Sequence, residues 1–306
     1  MKFLCDVPEG VYKAYLKNNT IGRNLLSKEC EISDRVANTY AWLFRNGTPL
    51  YHGQSIEPDS GETILTGLLP DIHFPYHDER ALSIAIDYLH KVGVKQIVIQ
   101  GDGADCYAVS YWQTDPLRMQ FYKEVNETKL LIDKFFGPFG SDVKKIWLAG
   151  NHERRLESLL WGKARELAGL EALTIPRVYG LQDAGFEYVC NMAMMKSGLE
   201  PFKIGHLYVL HGHEVKISTG AVNFAKLHYD KNPVTQVNAH HHQSQEQIVR
   251  KMDLTVDGSW ALGCLCDLHP EYAPANRWNH GFGIVEHDST GDFSLRNLKI
   301  IGGKVL

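Results

Sequence analysis

The fold is decided by residues 96–105, which read QIVIQGDGAD. An apolar run bounded by turn formers predicts a buried β-strand, and this run ends in glycine and aspartate. The same arrangement occurs on either side of it, because residues 63–73 read TILTGLLPDIH and residues 145–153 read KIWLAGNHE. Each predicted strand therefore delivers acidic, amide or imidazole side chains at its carboxyl end.

The segments between these strands have helical periodicity. Glu79–Val92 places apolar residues on one face at spacings of three and four, and a second helix is predicted within residues 116–136. Strands that alternate with helices indicate a largely parallel sheet with both faces covered. Leu207–Leu210 is predicted to be the fourth strand of this sheet.

The later apolar runs follow one another with few helices between them. They span residues 235–238, 247–251, 260–265, 281–286 and 293–301. Consecutive strands of this kind predict a second, mostly antiparallel sheet. The chain is therefore predicted to be α/β, a four-layer αββα sandwich of two mixed sheets flanked by helices. The segment 156–201 is not assigned and could cap a site.

A small helical module is predicted to precede this domain. Residues 21–44 have the pattern of a helix-turn-helix, with Ser33 as the N-cap of the second helix. The alternative is a helical arm that packs on the main domain. Residues 47–61 are rich in turn formers and form the predicted linker. The domains are thus predicted as 1–60, the helical module and linker, and 61–306.

The composition limits the class of protein. The 306 residues include 44% hydrophobic and 22% charged residues, which suits a packed core, and the net charge of -4 does not favour nucleic acid or membranes. No apolar run approaches the roughly 20 residues that span a bilayer, and the first residues do not resemble a signal peptide. The six scattered cysteines predict free thiols, so a cytoplasmic location is expected.

Polar side chains follow five predicted strands in turn. The groups are Asp71-Ile72-His73, Gly101-Asp102-Gly103-Ala104-Asp105, Gly150-Asn151-His152-Glu153, His211-Gly212-His213 and His240-His241-His242. In open α/β sheets, ligands bind beyond the carboxyl ends of the strands. These five groups are therefore predicted to converge on one rim.

The five groups resemble the motifs of the calcineurin-like metallophosphoesterases. That family has DxH, GDxxD, GNH[DE], a histidine at a strand end, and GHxH in this order. The resemblance covers roughly residues 64 to 290. One position departs from the pattern, because Ala239 stands where the family has glycine, and this concerns only local backbone geometry. A single motif of this kind is weak, but five in order are specific.

The resemblance implies two divalent metal ions. One would be held by Asp71, His73, Asp102 and His242, and the other by the bridging Asp102 together with Asn151, His211 and His240. Two ions about 3.5–4 Å apart can generate a bridging hydroxide and stabilise phosphoryl charge. Manganese suits this ligand set best, iron, zinc and nickel are acceptable, and magnesium or calcium suits so many imidazoles less well.

Side-chain alternation selects among adjacent histidines. On an extended backbone, His240 and His242 face the same way and His241 faces away. The same spacing places Asp71 and His73 on one side.

The fourth motif offers two histidines. His211 is the preferred ligand because it directly ends the apolar run 208–210. The alternative, that His213 is the ligand, stays open.

His152 follows a predicted ligand directly. In the family that the chain resembles, this histidine contacts the phosphate and helps the leaving group depart, and Asp105 would orient it. A carboxylate partner raises the imidazole pKa and keeps the ring protonated as an acid. The alternative for Asp105 is a loop-capping aspartate. Glu153 is predicted to be structural.

For other residues near the motifs, the sequence leaves two possible roles open. His77 and Asp78 could lie at the mouth of the site, although Asp78 could equally cap the helix that begins at residue 79. Arg154 and Arg155 could contact a substrate phosphate or form a solvated helix face.

Aromatic residues follow the second motif. Tyr107, Tyr111 and Trp112 could stack on a base, but packing of their own loop is favoured.

The leading hypothesis is metal-dependent hydrolysis of a phosphomonoester or phosphodiester, with DNA, RNA or a nucleotide among the substrates considered. Cys106 stands where protein Ser/Thr phosphatases carry arginine, which argues against that branch. Residues 101–115 and 277–282 resemble phage and prophage phosphoesterases.

The alternatives are a nucleic-acid-binding protein with a catalytically silent phosphoesterase domain and a structural metal protein, whose sites are usually closed and rich in cysteine.

Overall fold

The computed structural model describes residues 63–112, 114–115, 117–217 and 222–306. The predicted helix-turn-helix, the linker and the domain boundary all lie outside these residues. Within them, no helix is long and apolar enough to cross a membrane.

Twelve strands are described. They are β1 (Ile64–Leu69), β2 (Gln96–Gln100), β3 (Lys144–Leu148), β4 (Phe186–Val189), β5 (Lys203–Ile204), β6 (Leu207–Val209), β7 (Gln236–Asn238), β8 (Gln245–Arg250), β9 (Val256–Ala261), β10 (Gly281–His287), β11 (Phe293–Ile301) and β12 (Lys304–Val305). They form a seven-stranded sheet in the order β12-β11-β10-β1-β2-β3-β4 and a five-stranded sheet in the order β5-β6-β7-β9-β8.

Both sheets are mixed. In the first, β1 to β4 are parallel, and β10 pairs antiparallel with β1. In the second, β6, β7 and β9 are parallel, while β5 and β8 run antiparallel at the edges.

The described α-helices lie mainly between the strands of the first sheet. They are α1 (Glu79–Val92), α2 (Phe121–Phe136), α3 (Arg154–Lys163), α4 (Ile175–Val178), α5 (Asn191–Lys196) and α6 (Phe224–Lys231). The bounds of α1 agree with the prediction. Asp78 accepts a hydrogen bond from the backbone N of Ala81 at 2.7 Å, and the helix ends at Gly93 with φ 70°. The N-cap reading of Asp78 is thereby confirmed.

Alternation along the strands produces the layers. Leu69 and Ile97 pack among the side chains of α1 and α2. Their neighbours Leu68 and Val98 point the other way and pack against the second sheet. Helix α6 covers the outer face of that sheet through Phe224. The predicted four-layer αββα sandwich of two mixed sheets is confirmed for the described residues.

The assignment of strands to sheets differs from the prediction. Leu207–Val209 belongs to the five-stranded sheet, and the fourth parallel strand of the first sheet is β4, within a segment that had no assignment. Strands β10 and β11 extend the first sheet. The second sheet is consequently not mostly antiparallel. The order of strands along the chain does not give the sheet order, because the chain passes from one sheet to the other twice. An apolar sequence pattern indicates that a strand is buried, but it does not indicate which sheet the strand joins.

Gln100 joins the two sheets at the end of β2. Its buried side-chain amide donates to the carbonyl oxygens of Leu210, at 2.8 Å, and Val237, at 3.2 Å. Leu210 directly follows β6 and Val237 is the middle residue of β7, so one side chain of the first sheet is bonded to two strands of the second near the point where the polar motifs begin. The described cysteines, Cys106, Cys190, Cys264 and Cys266, are free thiols as predicted.

Candidate metal centre and active site

The five polar motifs meet at one rim. The first three follow β1, β2 and β3 of the first sheet, and the other two follow β6 and β7 of the second. The structure brings together all nine predicted site residues, namely Asp71, His73, Asp102, Asp105, Asn151, His152, His211, His240 and His242.

Asp102 stands at the centre of this group. Its Oδ2 atom lies 3.1 Å from His211 Nε2, 3.7 Å from His152 Nε2 and 3.9 Å from His73 Nε2. Its Oδ1 atom accepts a hydrogen bond of 2.8 Å from the backbone N of His152. The carboxylate therefore lies between imidazoles that come from three different strand ends.

Three sets of side chains each place one ligand atom within 4.8 Å of the others. These sets are His73, His242 and Cys266; His73, Asp102 and His152; and Asp102, His211 and His240. Asp71 joins the first set through its Oδ1 atom, 3.2 Å from His242 Nε2. Asn151 joins the third through its Oδ1 atom, 3.1 Å from His211 Nε2. Asp102 and His73 each occur in two sets, so the sets form one continuous centre.

The far nitrogen of each of three imidazoles has a protein partner. His73 Nδ1 lies 2.9 Å from Asp105 Oδ2, and His211 Nδ1 lies 2.9 Å from the carbonyl oxygen of Gln100. His242 Nδ1 lies 3.8 Å from Cys266 Sγ. These partners fix the rings so that Nε2 points into the centre, as is usual for histidines that bind metals.

The backbone at five of the seven candidate metal ligands is left-handed and not extended. φ is positive at Asp71 (46°), His73 (56°), Asp102 (49°), His240 (67°) and His242 (57°). The premise that alternation on an extended chain orients these side chains is therefore wrong. The side chains converge because the chain turns sharply at each strand end, in a conformation that costs energy for residues other than glycine.

Two glycines permit the close approach of the motif loops. A Cβ atom on Gly150 would lie 2.1 Å from Asp102 Oδ1, and one on Gly101 would lie 2.4 Å from His211 Nδ1. Gly101 also has φ 83°. These positions of the GD and GN dipeptides leave no room for a side chain.

Glu153 fixes the loop after β2. Its buried carboxylate accepts hydrogen bonds from the backbone N atoms of Asp102, Gly103, Ala104 and Gly150 and from Trp147 Nε1, at 2.8–3.1 Å. Burial and the neighbouring Asp102 raise the pKa of Glu153, while these donors oppose that shift. The side chain has the structural position that the sequence predicted for it.

The surroundings of His152 differ from the expectation. Its Nδ1 atom lies 2.9 Å from the backbone carbonyl oxygen of Asp105 and 3.5 Å from that residue's carboxylate. The closer partner of the Asp105 carboxylate is His73. Asp105 thus holds both rings, one by its carboxylate and one mainly by its main chain. Arg155, 18% exposed, lies with Nη2 2.8 Å from His152 Nε2, so it is not part of a solvated helix face.

The electrostatics couple the carboxylates to the imidazoles. Burial lowers the pKa of His211, but Asp102 outweighs this and raises it to about 10. Burial would raise the pKa of Asp102, but His152 and His211 hold it well below its usual range. Burial lowers the pKa of His152, whereas Asp102 and Asp105 raise it above its ordinary value overall. Burial and the charge on His211 lower the pKa of His240 to about 3.

Two histidines in the motifs, His241 and His213, belong to none of the three sets. His241 stacks on Phe224, with ring centroids 3.9 Å apart and planes within 5°. His213 has its ring centroid 5.3 Å from that of His211, and its nearest charged partner is Glu214. The Glu214 carboxylate accepts from the backbone N atoms of His211 and Gly212 and so fixes this turn.

The remaining candidates are peripheral. His77 interacts with Glu79 at 3.0 Å, and Arg154 interacts with Glu157 at 3.9 Å. Tyr107 is half-buried, whereas Tyr111 and Trp112 are 90% and 74% exposed. Loop packing therefore accounts for Tyr107 and not for the other two.

Sequence reasoning missed the contacts of Arg155, Cys266 and Trp278. The ring of Trp278 lies 4.1 Å from that of His242. The last two residues lie in loops that follow β9 and precede β10, where no periodic pattern exists. Arg155 had a signal, its place one turn after His152.

Comparisons with known proteins give limited information. No family model matches the chain, and no curated protein matches it. Among solved structures, it is similar to vacuolar protein sorting 29 from Cryptosporidium parvum, at 13% identity over 80% of this chain and 95% of that chain, with TM-score 0.40. A dimetal phosphatase from Danio rerio matches at 12% identity over 79% and 98%, with TM-score 0.39. YfcE, a phosphoesterase from E. coli, matches at 12% identity over 76% and 98%, with TM-score 0.31.

Proposed function

We propose that this chain is a dinuclear-metal-dependent phosphoesterase that hydrolyses a phosphomonoester or phosphodiester. One observation carries the proposal, the position of the Asp102 carboxylate between His73 on one side and His211 on the other, at 3.9 and 3.1 Å. A carboxylate shared by two ligand sets is the arrangement that a pair of neighbouring divalent ions requires.

The polar atoms of the centre fit cations. Asp71 Oδ1 and His73 Nε2 are buried and have no hydrogen-bond partner of acceptable geometry. Buried polar atoms are normally paired, and these two atoms lie 3.9 Å apart, so one bound ion would satisfy both. The set contains carboxylate, amide and imidazole donors, so divalent transition metals fit it.

Asp71, His73, Asp102 and His242 would hold one ion, and Asp102, Asn151, His211 and His240 the other. When bound, such ions lower the pKa of water and neutralise charge on a phosphoryl group. We propose manganese as the best match, with iron, zinc or nickel as acceptable alternatives.

His152 and Arg155 supply the chain's own chemistry. Arg155 lies within hydrogen-bond distance of His152 Nε2, and a guanidinium can only donate, so this nitrogen is unprotonated in this arrangement. A phosphate oxygen is a stronger acceptor for a guanidinium than an imidazole is. Substrate binding would therefore draw Arg155 to the phosphate and leave Nε2 free to take a proton from solvent, which it would then give to the leaving oxygen. Asp102 and Asp105, which raise the pKa of His152, favour that protonated state.

The test compares a matched pair of generic substrates, 4-nitrophenyl phosphate and bis(4-nitrophenyl) phosphate, with and without added manganese. We expect turnover of at least one substrate in the wild type only with metal. Asp102→Ala should lower it by at least roughly a thousandfold because both ligand sets lose a member. Asp87→Ala, on the exposed side of α1, is the control and should retain activity.

Equal activity of Asp102→Ala and the wild type would reject the dinuclear assignment. Absence of turnover with manganese, iron, zinc and nickel would reject the enzyme and favour a silent domain. Circular dichroism of both variants separates loss of the site from loss of the fold.

A further inference from the structure

A cleft opens directly beside the candidate metal centre. It has a volume of about 520 Å³, and its floor includes His73, Asp105 and Cys266. This volume lies within the range of sites that take one small molecule. A phosphate held at the centre would therefore extend its organic part into this cleft.

One wall of the cleft is aromatic. Tyr76 and Tyr107 lie with ring centroids 5.6 Å apart. The guanidinium carbon of Arg118 lies 4.8 Å from the centroid of Tyr76 and 5.2 Å from that of Tyr107. Aromatic rings and guanidinium planes are the surfaces on which flat heterocycles stack.

A second wall of the cleft carries Tyr272. Its ring lies 6.1 Å from that of Trp278, which in turn packs on His242. The two walls are joined by an ion pair of 3.0 Å between Arg118 and Glu271. The aromatic wall and the metal centre are thus parts of one connected surface.

The charge of the cleft disfavours a long polyanion. Among the described residues that line it, Arg118 is the only basic side chain other than His73, and Glu271 pairs with it. Asp115 and Asp267 add two further carboxylates. A nucleic-acid strand needs several cations along its path, whereas carboxylates suit hydrogen-bond donors such as hydroxyl and amino groups.

A buried hydroxyl in the cleft lacks a partner. Tyr76 Oη has almost no exposed surface and makes no hydrogen bond within the chain. Such an atom normally finds a partner, and this one has none among the described residues.

We propose that this cleft binds the alcohol part of the substrate and that this part is a flat heterocycle of nucleoside size. The substrate is then a small mononucleotide-like phosphate ester and not a nucleic-acid strand. The inference rests on the proposed function, because it identifies what the phosphoester carries. Tyr272 and Tyr76 are the specificity-determining residues.

The experiment uses two diesters with the same leaving group, thymidine 5′-(4-nitrophenyl phosphate) and methyl 4-nitrophenyl phosphate. The wild-type protein should prefer the thymidine ester in kcat/KM on the order of tenfold, because stacking of one base has about that effect. The preference should appear chiefly in KM.

Two tyrosine variants make a matched comparison. Tyr272→Leu should lower the preference at least about fivefold because it removes a stacking surface. Tyr111→Leu, at a position that is 90% exposed and outside the cleft, should leave the preference within about twofold. An unchanged preference in Tyr272→Leu, or no preference in the wild type, would overturn the proposal.

Binding separates this inference from the proposed function. If neither ester is hydrolysed with any of the four metals, the enzymatic proposal fails, and calorimetry with thymidine 5′-monophosphate then tests the cleft alone. Binding to the wild type that weakens in Tyr272→Leu supports the cleft, and equal binding rejects it. Decathymidylate is the second competitor, and binding tighter than that of the mononucleotide would favour a strand and overturn the proposal.

Discussion

The interior of the sheets and their carboxyl-end rim have opposite properties. In the interior, Leu68, Val98 and Ile146 are fully buried and pack between the sheets. At the rim, five of the seven non-glycine residues with positive φ in the described chain are predicted metal ligands. Several buried polar atoms there, among them Asp71 Oδ1 and His73 Nε2, have no hydrogen-bond partner.

The contrast indicates how the molecule distributes its stability. Strained backbone costs on the order of 1–3 kcal/mol at each residue and persists only where its surroundings are rigid. The packed interior supplies that rigidity, because each strand end is fixed by pairing on both sides. The rim therefore holds a preformed arrangement of polar side chains, and its unpaired atoms suit the cations proposed above.

The largest effect is expected from removing the proposed general acid at the rim, a change that leaves the packed interior intact. His152→Ala should lower kcat by roughly 10²–10⁴-fold, the usual contribution of a general acid. Metal content should stay near that of the wild type, because Asp71, Asn151 and the other predicted ligands remain. Steady-state kinetics on the better generic substrate, together with metal analysis, checks both.

The control for this variant is Arg154→Ala, whose side chain pairs on the surface with Glu157. Retained activity in His152→Ala, or equal losses in the two variants, would contradict the role of His152.

The next largest effect is expected at Glu153, whose carboxylate fixes the loop that connects the rim to the packed interior. Glu153→Gln replaces one acceptor oxygen by an amide group that opposes buried N–H donors. The free energy of unfolding should fall by about 2–3 kcal/mol. Chemical denaturation of the metal-free protein measures this. Glu157→Gln in helix α3, which begins directly after Glu153, is the matched control. Its side chain is 48% exposed, so this variant should change stability by less than about 0.5 kcal/mol. Equal values for the two variants would mean that the Glu153 carboxylate does not anchor the loop.

The same contrast explains what the sequence could predict. The strands β1 to β3, helix α1 and the nine site residues follow from apolar runs, helical spacing and short motifs, all of which are local. The membership of β10 and β11 in the first sheet does not. β10 pairs with β1 across more than two hundred positions, as at Ile64 and His287, and β11 joins the sheet only through β10.

The backbone conformations and hydrogen bonds that bring the site residues together were also less predictable than the identity of those residues. Alternation on an extended chain would place His240 and His242 together, and they are together, but through positive φ at both. The Asp105 carboxylate lies closer to the ring of His73 than to that of His152, and this depends on how two loops pack together. Motifs identify which residues meet, whereas hydrogen bonding decides what each one holds.

A smaller effect concerns protons at the rim. In the metal-free protein Asp102 raises the pKa of His211 to about 10, so this ring is protonated at neutral pH. An ion at this position must displace that proton. Metal affinity should therefore rise roughly tenfold per pH unit between pH 6 and 8. Calorimetry in buffers of different ionisation enthalpy measures both the affinity and the protons released. Affinity that is independent of pH would show that His211 is neutral before binding or is not a ligand.

The smallest effect on stability and metal binding is expected at His241, a rim residue whose ring packs on an apolar side chain and not into the metal centre. His241 stacks on Phe224, and burial together with the charge on His228 lowers its pKa to about 3, so its ring is neutral at pH 7. Its Nε2 atom is buried without a partner. His241→Phe keeps the stacked ring and removes that unpaired nitrogen, so stability should change by less than about 1 kcal/mol. Metal content should also be retained, whereas His240→Phe should lose metal. If His241→Phe also lost metal while it remained folded, the division between the histidines that face the centre and the one that packs away from it would be wrong.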